Sequence, residues 1–123
     1  MYMCTEERFE WEYKGQIINL FLDDIYYIRS EERKTYIHAK NGIYQIGTTM
    51  KQIVEKLRGC PFVRIHNAYL VHVKHLECIG RQEAVLRSGD RIPVSERRER
   101  LAKQEIRKYL EQVKLQKNRA KRQ

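Results

Sequence analysis

Three short segments of this chain concentrate side chains that can donate hydrogen bonds to a polyanion. They are residues 29–34, 64–67 and 95–100, and together they carry seven arginines or lysines besides serine, histidine and asparagine. Arginine and lysine can bond guanine edges, asparagine can bond an adenine edge through both amide atoms, and serine can hold a phosphate. Each segment alone is more typical of a solvated turn. Together, at the ends of predicted elements, they form three candidate contact points for a nucleic acid.

Metal binding and catalysis fit the sequence less well. His72, His75 and Cys78 have tight spacing, but in an extended chain residues an odd number apart point to opposite faces, and no CxxC pair is present. Asp23 and Asp24 form a carboxylate pair, which between two strands is more typical of a strand break. The chain has no glycine-rich phosphate loop and no GxSxG or HExxH motif. We therefore expect no enzyme activity, no metal site and no cofactor.

The positive charge lies mostly at the C-terminal end. The formal net charge is +9 over 123 residues. Residues 97–123 contain eleven Lys/Arg and three Asp/Glu, whereas residues 1–96 contain fourteen and thirteen. A basic end attracts DNA, RNA or an anionic membrane alike, so charge alone does not choose among them. For the last ten residues, a solvated helix face is an equally good explanation.

Alternation of apolar and polar residues predicts a mainly-β chain. The predicted strands are residues 9–14, 16–21, 25–28, 35–40, 43–46, 62–65, 70–73, 75–79, 83–87 and 91–94. Gly15 is expected to form the first turn, and Asn41-Gly42 predicts a type I′ hairpin turn. Residues 29–34 contain no apolar side chain and are predicted to be an exposed loop. Pro93 favours an edge strand, because proline cannot donate to a sheet ladder.

Two helices are predicted. Thr49 and Gln52 have the spacing of a capping box, and Gly59 is placed to end the first helix in a left-handed turn. The apolar stripe of this helix consists of Met50, Ile53, Val54 and Leu57. The second helix is expected to follow an N-cap at Ser95, with a stripe of Ala102, Ile106, Tyr109, Leu110 and Val113. We expect one domain over residues 1–115 and a flexible, basic tail over residues 116–123.

The most specific string is FVRIHNAYLV at residues 62–71, and IPVS follows at residues 92–95. In this order and spacing, the two strings resemble the LytTR-type DNA-binding domain, the output domain of many bacterial response regulators. The first string matches the family at Phe62, Arg64, His66, Asn67, Tyr69 and Val71. Two departures are His72, where the family has asparagine, and Glu96, where arginine is common. The resemblance covers about residues 8–105.

The resemblance implies a fold and a mode of DNA binding. The fold is mainly β, with small antiparallel sheets stacked as an elongated β sandwich, one short helix in the middle and a C-terminal helix. Loops, rather than a recognition helix, enter successive major grooves. Carried over by position, the expected base contacts are Arg33 or Lys34, then Asn67, then Arg97. Phosphate contact or positioning is expected of Arg29, Ser30, Arg64, His66, Ser95, Arg98 and Arg100. For Arg64 and His66, bracing the turn from within is at least as good an explanation.

The expected partner is double-stranded DNA carrying paired direct repeats, with a homodimer as one arrangement on it. We expect a bacterial, cytoplasmic regulator, because the N-terminus is too polar for a signal peptide and no apolar run could span a membrane. The spacing of the three cysteines is not that of a disulfide framework.

A phosphoacceptor receiver domain needs about 100 residues or more, which do not fit before this domain. A separate signalling partner, action without phosphorylation and an excised fragment are the three explanations left open. Two other functions also stay open. One is binding of RNA or polyanions in general through the basic C-terminal helix, and the other is a protein-interaction module that uses the tyrosine-rich surface.

Overall fold

The computed structural model describes the backbone of residues 8–121 and the side chains of residues 8–113. Within this range the chain forms ten strands and two α-helices. In chain order they are β1 (Arg8–Tyr13), β2 (Gln16–Phe21), β3 (Ile25–Glu31), β4 (Lys34–Ala39), β5 (Gly42–Ile46), α1 (Met50–Lys56), β6 (Phe62–His66), β7 (Tyr69–His72), β8 (Leu76–Ile79), β9 (Glu83–Leu86), β10 (Arg91–Pro93) and α2 (Glu99–Lys121). Two 3₁₀ turns, Leu22–Asp24 and Val73–His75, precede β3 and β8.

The strands form three antiparallel sheets. The central sheet has five strands in the order β5-β4-β3-β7-β6, and it lies between a β1–β2 pair and a three-stranded sheet of order β10-β9-β8. Strand β10 is an edge strand, as Pro93 predicts. The expected class is confirmed: small antiparallel sheets, one short helix in the middle and a C-terminal helix.

Both faces of the central sheet are buried. Side chains alternate along its strands, so Ile28 and Leu70 belong to one hydrophobic cluster while Tyr27 and Val71 belong to the other. The β1–β2 pair and α1 cover the first face, chiefly with Phe9, Ile18, Met50, Ile53 and Leu57. The three-stranded sheet and α2 cover the second face, chiefly with Ala84, Leu86, Ile92, Ala102 and Ile106. One sheet therefore organises both clusters and presents its turns at its two ends.

Helix α1 has the predicted cap. The Thr49 hydroxyl accepts from the Gln52 backbone N–H at 3.2 Å, and the Gln52 side chain accepts from the Thr49 backbone N–H at 3.2 Å. Gly59 follows the helix with φ 84°, the left-handed conformation expected there. These features are local in sequence, and the prediction is confirmed.

The hairpin of β3 and β4 is tighter than predicted. A two-residue turn, Glu32–Arg33, joins the strands, so the expectation of an exposed loop across residues 29–34 was wrong. Arg29 is a strand residue opposite Tyr36, and its guanidinium lies over the Tyr36 ring. A run of polar residues can thus continue a strand where neighbouring side chains cover it.

The turn between β4 and β5 also differs from the prediction. It is formed by Lys40–Asn41, and neither residue has a positive φ, so it is not the type I′ turn expected at Asn41-Gly42. Gly42 instead starts β5, paired with Ala39. The register of β4 against β5, with Ala39 opposite Gly42, places the turn one residue nearer the N-terminus than predicted.

Helix α2 begins at Glu99, later than predicted. Ser95 caps a preceding turn, since its hydroxyl accepts from the Arg98 backbone N–H at 3.3 Å. Ala102 and Ile106 are buried, but Leu110 and Val113 are 48% and 45% exposed. Only the first part of the predicted apolar stripe therefore packs on the body.

The backbone of α2 continues to Lys121, into the predicted basic tail. The side chains of residues 114–121 and all of residues 122–123 lie outside the described part, so flexibility of residues 116–123 stays a prediction. Within the described residues, neither helix combines the length and apolar character that a bilayer crossing needs.

The cysteines depart from the expectation in one respect. Cys78 on β8 is free and exposed, whereas Cys60, which follows α1 and is buried, is disulfide-bonded. The spacing of the cysteines had not indicated this bond.

Candidate nucleic-acid interface

Two of the three donor-rich segments lie side by side at one end of the central sheet. Strand β3 pairs with β7, and the Ser30 backbone N–H donates to the Ala68 carbonyl at 2.9 Å. The Glu32–Arg33 turn and the Asn67–Ala68 turn are therefore neighbours. Their proximity follows from strand pairing between parts of the chain that are distant in sequence.

The third segment joins the same end through two hydrogen bonds. The Ser95 backbone N–H donates to the Ile65 carbonyl at 2.9 Å. The Arg98 side chain donates through Nε to Oδ1 of Asn67 at 2.9 Å. We call the surface formed by residues 29–34, 64–68 and 95–100 the donor face.

The Asn67–Ala68 turn is braced by side chains from β6. Arg64 donates through its guanidinium to the Asn67 carbonyl at 2.8 Å. Nδ1 of His66 accepts from the Ala68 backbone N–H at 3.1 Å, and the His66 ring lies edge-on to Tyr69 at 5.5 Å. Arg64 and His66 thus have the bracing role considered for them, and they leave the Asn67 side chain exposed.

Positive charge accumulates beside this turn. Burial lowers the pKa of Arg64, and the neighbouring charge of Arg98 lowers that pKa further. In the described part of the chain, no carboxylate forms an ion pair with either guanidinium. The Nε atom of Arg64 is buried and has no hydrogen-bond partner among the described residues. Two uncompensated guanidiniums at one turn favour an anionic ligand.

The Glu32–Arg33 turn has an uncommon backbone. Glu32 and Arg33 have φ values of 49° and 68°, a left-handed conformation that hairpin turns usually assign to Asn and Gly. Such residues cost on the order of 1–3 kcal/mol each and persist where the surrounding structure imposes them. Both side chains are exposed, as is that of Lys34. The turn therefore presents long polar side chains on a strained backbone.

Arg29 is held inside the hairpin that carries this turn. Its Nε donates to Nε2 of His38 at 2.8 Å, and its guanidinium forms an ion pair with Glu31 at 2.6 Å. Burial, and then the charge of Arg29, lowers the pKa of His38, which favours the neutral form that accepts this bond. Tyr27 stacks on the His38 ring with ring centroids 4.2 Å apart. The predicted phosphate contact at Arg29 would compete with these bonds.

The third segment divides its arginines between two environments. Arg97 and Arg100 are exposed, whereas Arg98 is half-buried. The Ser95 hydroxyl is engaged by the Arg98 backbone N–H. Of the predicted base contacts, Arg33, Lys34, Asn67 and Arg97 are all exposed at the donor face.

A histidine cluster lies at the opposite end of β7. His72 and His75 do not diverge as predicted, because Val73–His75 is a 3₁₀ turn and brings the two rings within 5.3 Å. Nδ1 of His72 accepts from the Lys74 backbone N–H at 3.0 Å. Burial lowers the pKa of His72 to about 4. His75 bonds the Asp23 carbonyl. No group of three or more His, Cys, Asp or Glu among the described residues is arranged to hold a metal ion.

Residues 15–110 match the sequence model of the LytTr DNA-binding domain. The chain belongs to this family. This match covers β6 and β7, which contain the string at residues 62–71, and it also covers the IPVS string and the first half of α2. The LytTr family is a DNA-binding family. The donor face of this LytTr domain contains Arg64, His66 and Asn67 of the string at residues 62–71.

A solved structure has the same fold as this LytTr domain. It is the LytTr DNA-binding domain of a protein described as a methyl-accepting/DNA response regulator from Bacillus cereus. The two share 20% identity with a TM-score of 0.68, over 85% of this chain and 97% of that chain. At this identity the likeness supports the fold alone. A comparison with curated proteins gives no match.

One feature of this LytTr domain could not be read from its sequence. The bond between Arg98 and Asn67 joins residues 31 positions apart. Arg98 is one of three arginines in its segment, and its residue type alone does not distinguish it from Arg97 or Arg100. Only the approach of the Ser95 turn to β6 singles out Arg98.

Proposed function

We propose that this LytTr domain binds double-stranded DNA sequence-specifically, with the turns of its donor face entering the major groove. The observation that supports this most is the convergence of the three donor-rich segments on one end of one sheet. The Arg98–Asn67 and Ser30–Ala68 bonds join them into a continuous surface. The surface has seven arginines or lysines against four glutamates, and neither Arg64 nor Arg98 is ion-paired in the described part of the chain. Such a surface suits the phosphate backbone and the acceptor-rich base edges of DNA.

The exposed side chains are the proposed base readers. Arg33, Asn67 and Arg97 lie in turns, and Lys34 begins β4. Among the described side chains their tips have no intramolecular partner, apart from the side-chain oxygen Oδ1 of Asn67. The major groove, about 12 Å wide, accepts a two-stranded β-ribbon, so a hairpin turn can enter it. Each base contact contributes about 1–3 kcal/mol of discrimination.

The remaining polar residues of the donor face have positioning or phosphate roles in this proposal. Arg29, Arg64, His66 and Arg98 already form hydrogen bonds within the face, and their first role is to hold the turns. Phosphate contact falls to Ser30, Ser95 and Arg100, the last of which lies in the first turn of α2. There the positive end of the helix dipole also attracts an anion.

The wider role is proposed from membership of the LytTr family. We propose a bacterial, cytoplasmic transcription regulator that binds paired direct repeats, with two copies on adjacent half-sites. A signal would reach it through a separate partner, in the manner in which a receiver domain controls an output domain. The exposed half of the α2 stripe, at Leu110 and Val113, is a surface available to such a contact.

The test is selection of bound duplexes from a random DNA pool, followed by affinity measurement at two salt concentrations. The unmodified chain should enrich one motif, and the double variant Asn67→Ala/Arg97→Ala should lose that preference. Arg107→Ala removes an exposed arginine of α2 outside the donor face and serves as the matched control. Failure to enrich any motif would refute sequence-specific binding.

The same assay separates the alternative of polyanion binding through the basic C-terminal end. Removal of residues 116–123 should lower affinity for all duplexes while the enriched motif persists. Loss of nearly all binding, with no motif at any salt concentration, would instead assign the interaction to the basic end.

A further inference from the structure

The hydrogen bond between Arg98 and Asn67 fixes the orientation of an amide. A guanidinium Nε–H can only donate, so the atom that meets it at 2.9 Å must be the oxygen of the Asn67 amide. The Nδ2 group occupies the other branch of the same planar amide. Among the residues that the structure describes, no acceptor bonds Nδ2, and the Asn67 side chain is exposed. Asn67 therefore presents a donor outward.

The groups on both sides of this bond are themselves held. The Arg98 backbone N–H donates to the carbonyl of Ser95 at 3.1 Å, and the Ser95 N–H donates to the Ile65 carbonyl at 2.9 Å. On the other side, Arg64 holds the Asn67 carbonyl at 2.8 Å. The backbone of Arg98 is thus tied through Ser95 to β6, and the backbone of Asn67, in the turn that follows β6, is held by Arg64.

We propose that Arg98 is a positioning residue that sets the base preference of Asn67. The inference rests on the proposed function and deepens it. With Oδ1 bonded to Arg98, Asn67 offers the major groove chiefly its two amide N–H donors. Purine N7, guanine O6 and thymine O4 can accept from that group, whereas cytosine presents only a donor at its major-groove edge. Asn67 accordingly selects an acceptor-bearing base and rejects cytosine on the strand that it faces.

A different role for Arg98 has a different signature. A guanidinium that contacts only phosphate contributes affinity to every sequence equally and raises the salt dependence of binding. A guanidinium that orients Asn67 contributes discrimination at one base pair. The two roles are separable by the chemistry of the residue at position 98.

Two substitutions divide the properties of the Arg98 side chain. Arg98→Gln keeps an N–H donor at the same number of bonds from Cα as Nε, but removes the charge. Arg98→Lys keeps the charge, but has a methylene where Nε was. The glutamine variant should therefore retain the preference of Asn67 with lower overall affinity, and the lysine variant should retain the salt dependence and lose the preference.

The experiment uses the full chain and four duplexes that differ at one base pair. That pair is the position at which Asn67→Ala abolishes the preference found by selection from a random pool. The unmodified chain should disfavour cytosine there by about 5- to 150-fold, the range that a specific base contact provides. Arg98→Ala and Arg98→Lys should reduce this ratio to nearly the value of Asn67→Ala, and Arg98→Gln should restore most of it. The double variant Asn67→Ala/Arg98→Ala should show no further loss of discrimination.

The opposite pattern overturns the inference. If Arg98→Ala weakens all four duplexes equally and leaves the cytosine ratio intact, or if Lys preserves the ratio and Gln does not, Arg98 is a phosphate contact. Thermal unfolding of each variant, with Arg107→Ala as the matched loss of charge from α2, shows whether the fold is retained. Failure of the proposed function has a separate signature, because the unmodified chain would then enrich no motif.

Discussion

The Asn67–Ala68 turn and the Glu32–Arg33 turn end neighbouring hairpins of one sheet, yet they are held in different ways. Side chains of Arg64, His66 and Arg98 bond the first turn from three directions. The second turn has two non-glycine residues in the left-handed region. The side-chain hydrogen bonds of its hairpin are made by Arg29, on the strand that precedes the turn. The Asn67–Ala68 turn is cross-linked by its side-chain hydrogen bonds, and the Glu32–Arg33 turn has a strained backbone.

The difference indicates what each turn can contribute to binding. A cross-linked turn loses little conformational freedom when it binds, so it suits a contact that depends on the orientation of one amide. A strained turn with long exposed side chains suits contacts that adjust to the groove. Strain at such a position, where Asn-Gly would be easier, is consistent with selection for the side chains themselves.

The largest effect is expected from relieving the strain. The double variant Glu32→Asn/Arg33→Gly should raise the free energy of unfolding by about 2 kcal/mol, because both residues then tolerate positive φ. The same variant should bind DNA less tightly, since it lacks the Arg33 side chain. Urea denaturation and duplex affinity measure the two effects.

The matched control is Ala68→Gly in the other turn. Neither Asn67 nor Ala68 has a positive φ, so glycine there should lower stability by about 0.5–1 kcal/mol through its greater freedom in the unfolded chain. Equal responses of the two turns to glycine would remove the contrast between them.

A smaller loss is expected when a brace is removed from the cross-linked turn. His66→Ala deletes the acceptor for the Ala68 N–H and the ring contact with Tyr69, and should cost about 1 kcal/mol of stability. Arg33→Ala, in the strained turn, should change stability by no more than about 0.5 kcal/mol. Urea denaturation of the two variants compares them. A loss at Arg33 as large as that at His66 would mean that the second turn is also held by its side chains.

The smallest effect is expected in the pH dependence of stability, through His38 in the hairpin that carries the strained turn. His38 has a pKa lowered by burial and by Arg29, so the unfolded chain binds its proton more readily than the folded chain. The stability that depends on neutral His38 is therefore complete above the ordinary pKa of 6.5 and decreases as the pH falls below it. His38→Gln should flatten the dependence of unfolding free energy on pH between 7.5 and 5.5.

Comparing the unmodified chain with His38→Gln also separates the contribution of His38 to the pH dependence of stability from that of other titrating groups. His72, with a pKa of about 4, adds a slope of the same sign, but it does so in both proteins and cancels in the difference. An unchanged slope in the glutamine variant would show that neutral His38 does not support the hairpin.

Features that depend on near neighbours in sequence could be predicted. The capping box of Thr49 and Gln52, the left-handed Gly59 and the edge position of Pro93 each follow from the chemistry of a few adjacent residues. The family resemblance, carried by residues 62–71 and 92–95, extended these features to a whole fold. The polar run at residues 29–34 was misjudged, because its strand character comes from pairing with β4.

The sequence by itself determined the order of strands and helices, the family and the three donor-rich segments, because periodicity, capping and motif spacing depend only on the order of residues along the chain. Only the tertiary structure decided that the segments form one face and that Arg98, among three arginines, meets Asn67. The physical reason is that these contacts depend on the register of β3 against β7 and on where the Ser95 turn crosses β6. Those relations are set by burial on both faces of the central sheet, which no local pattern contains.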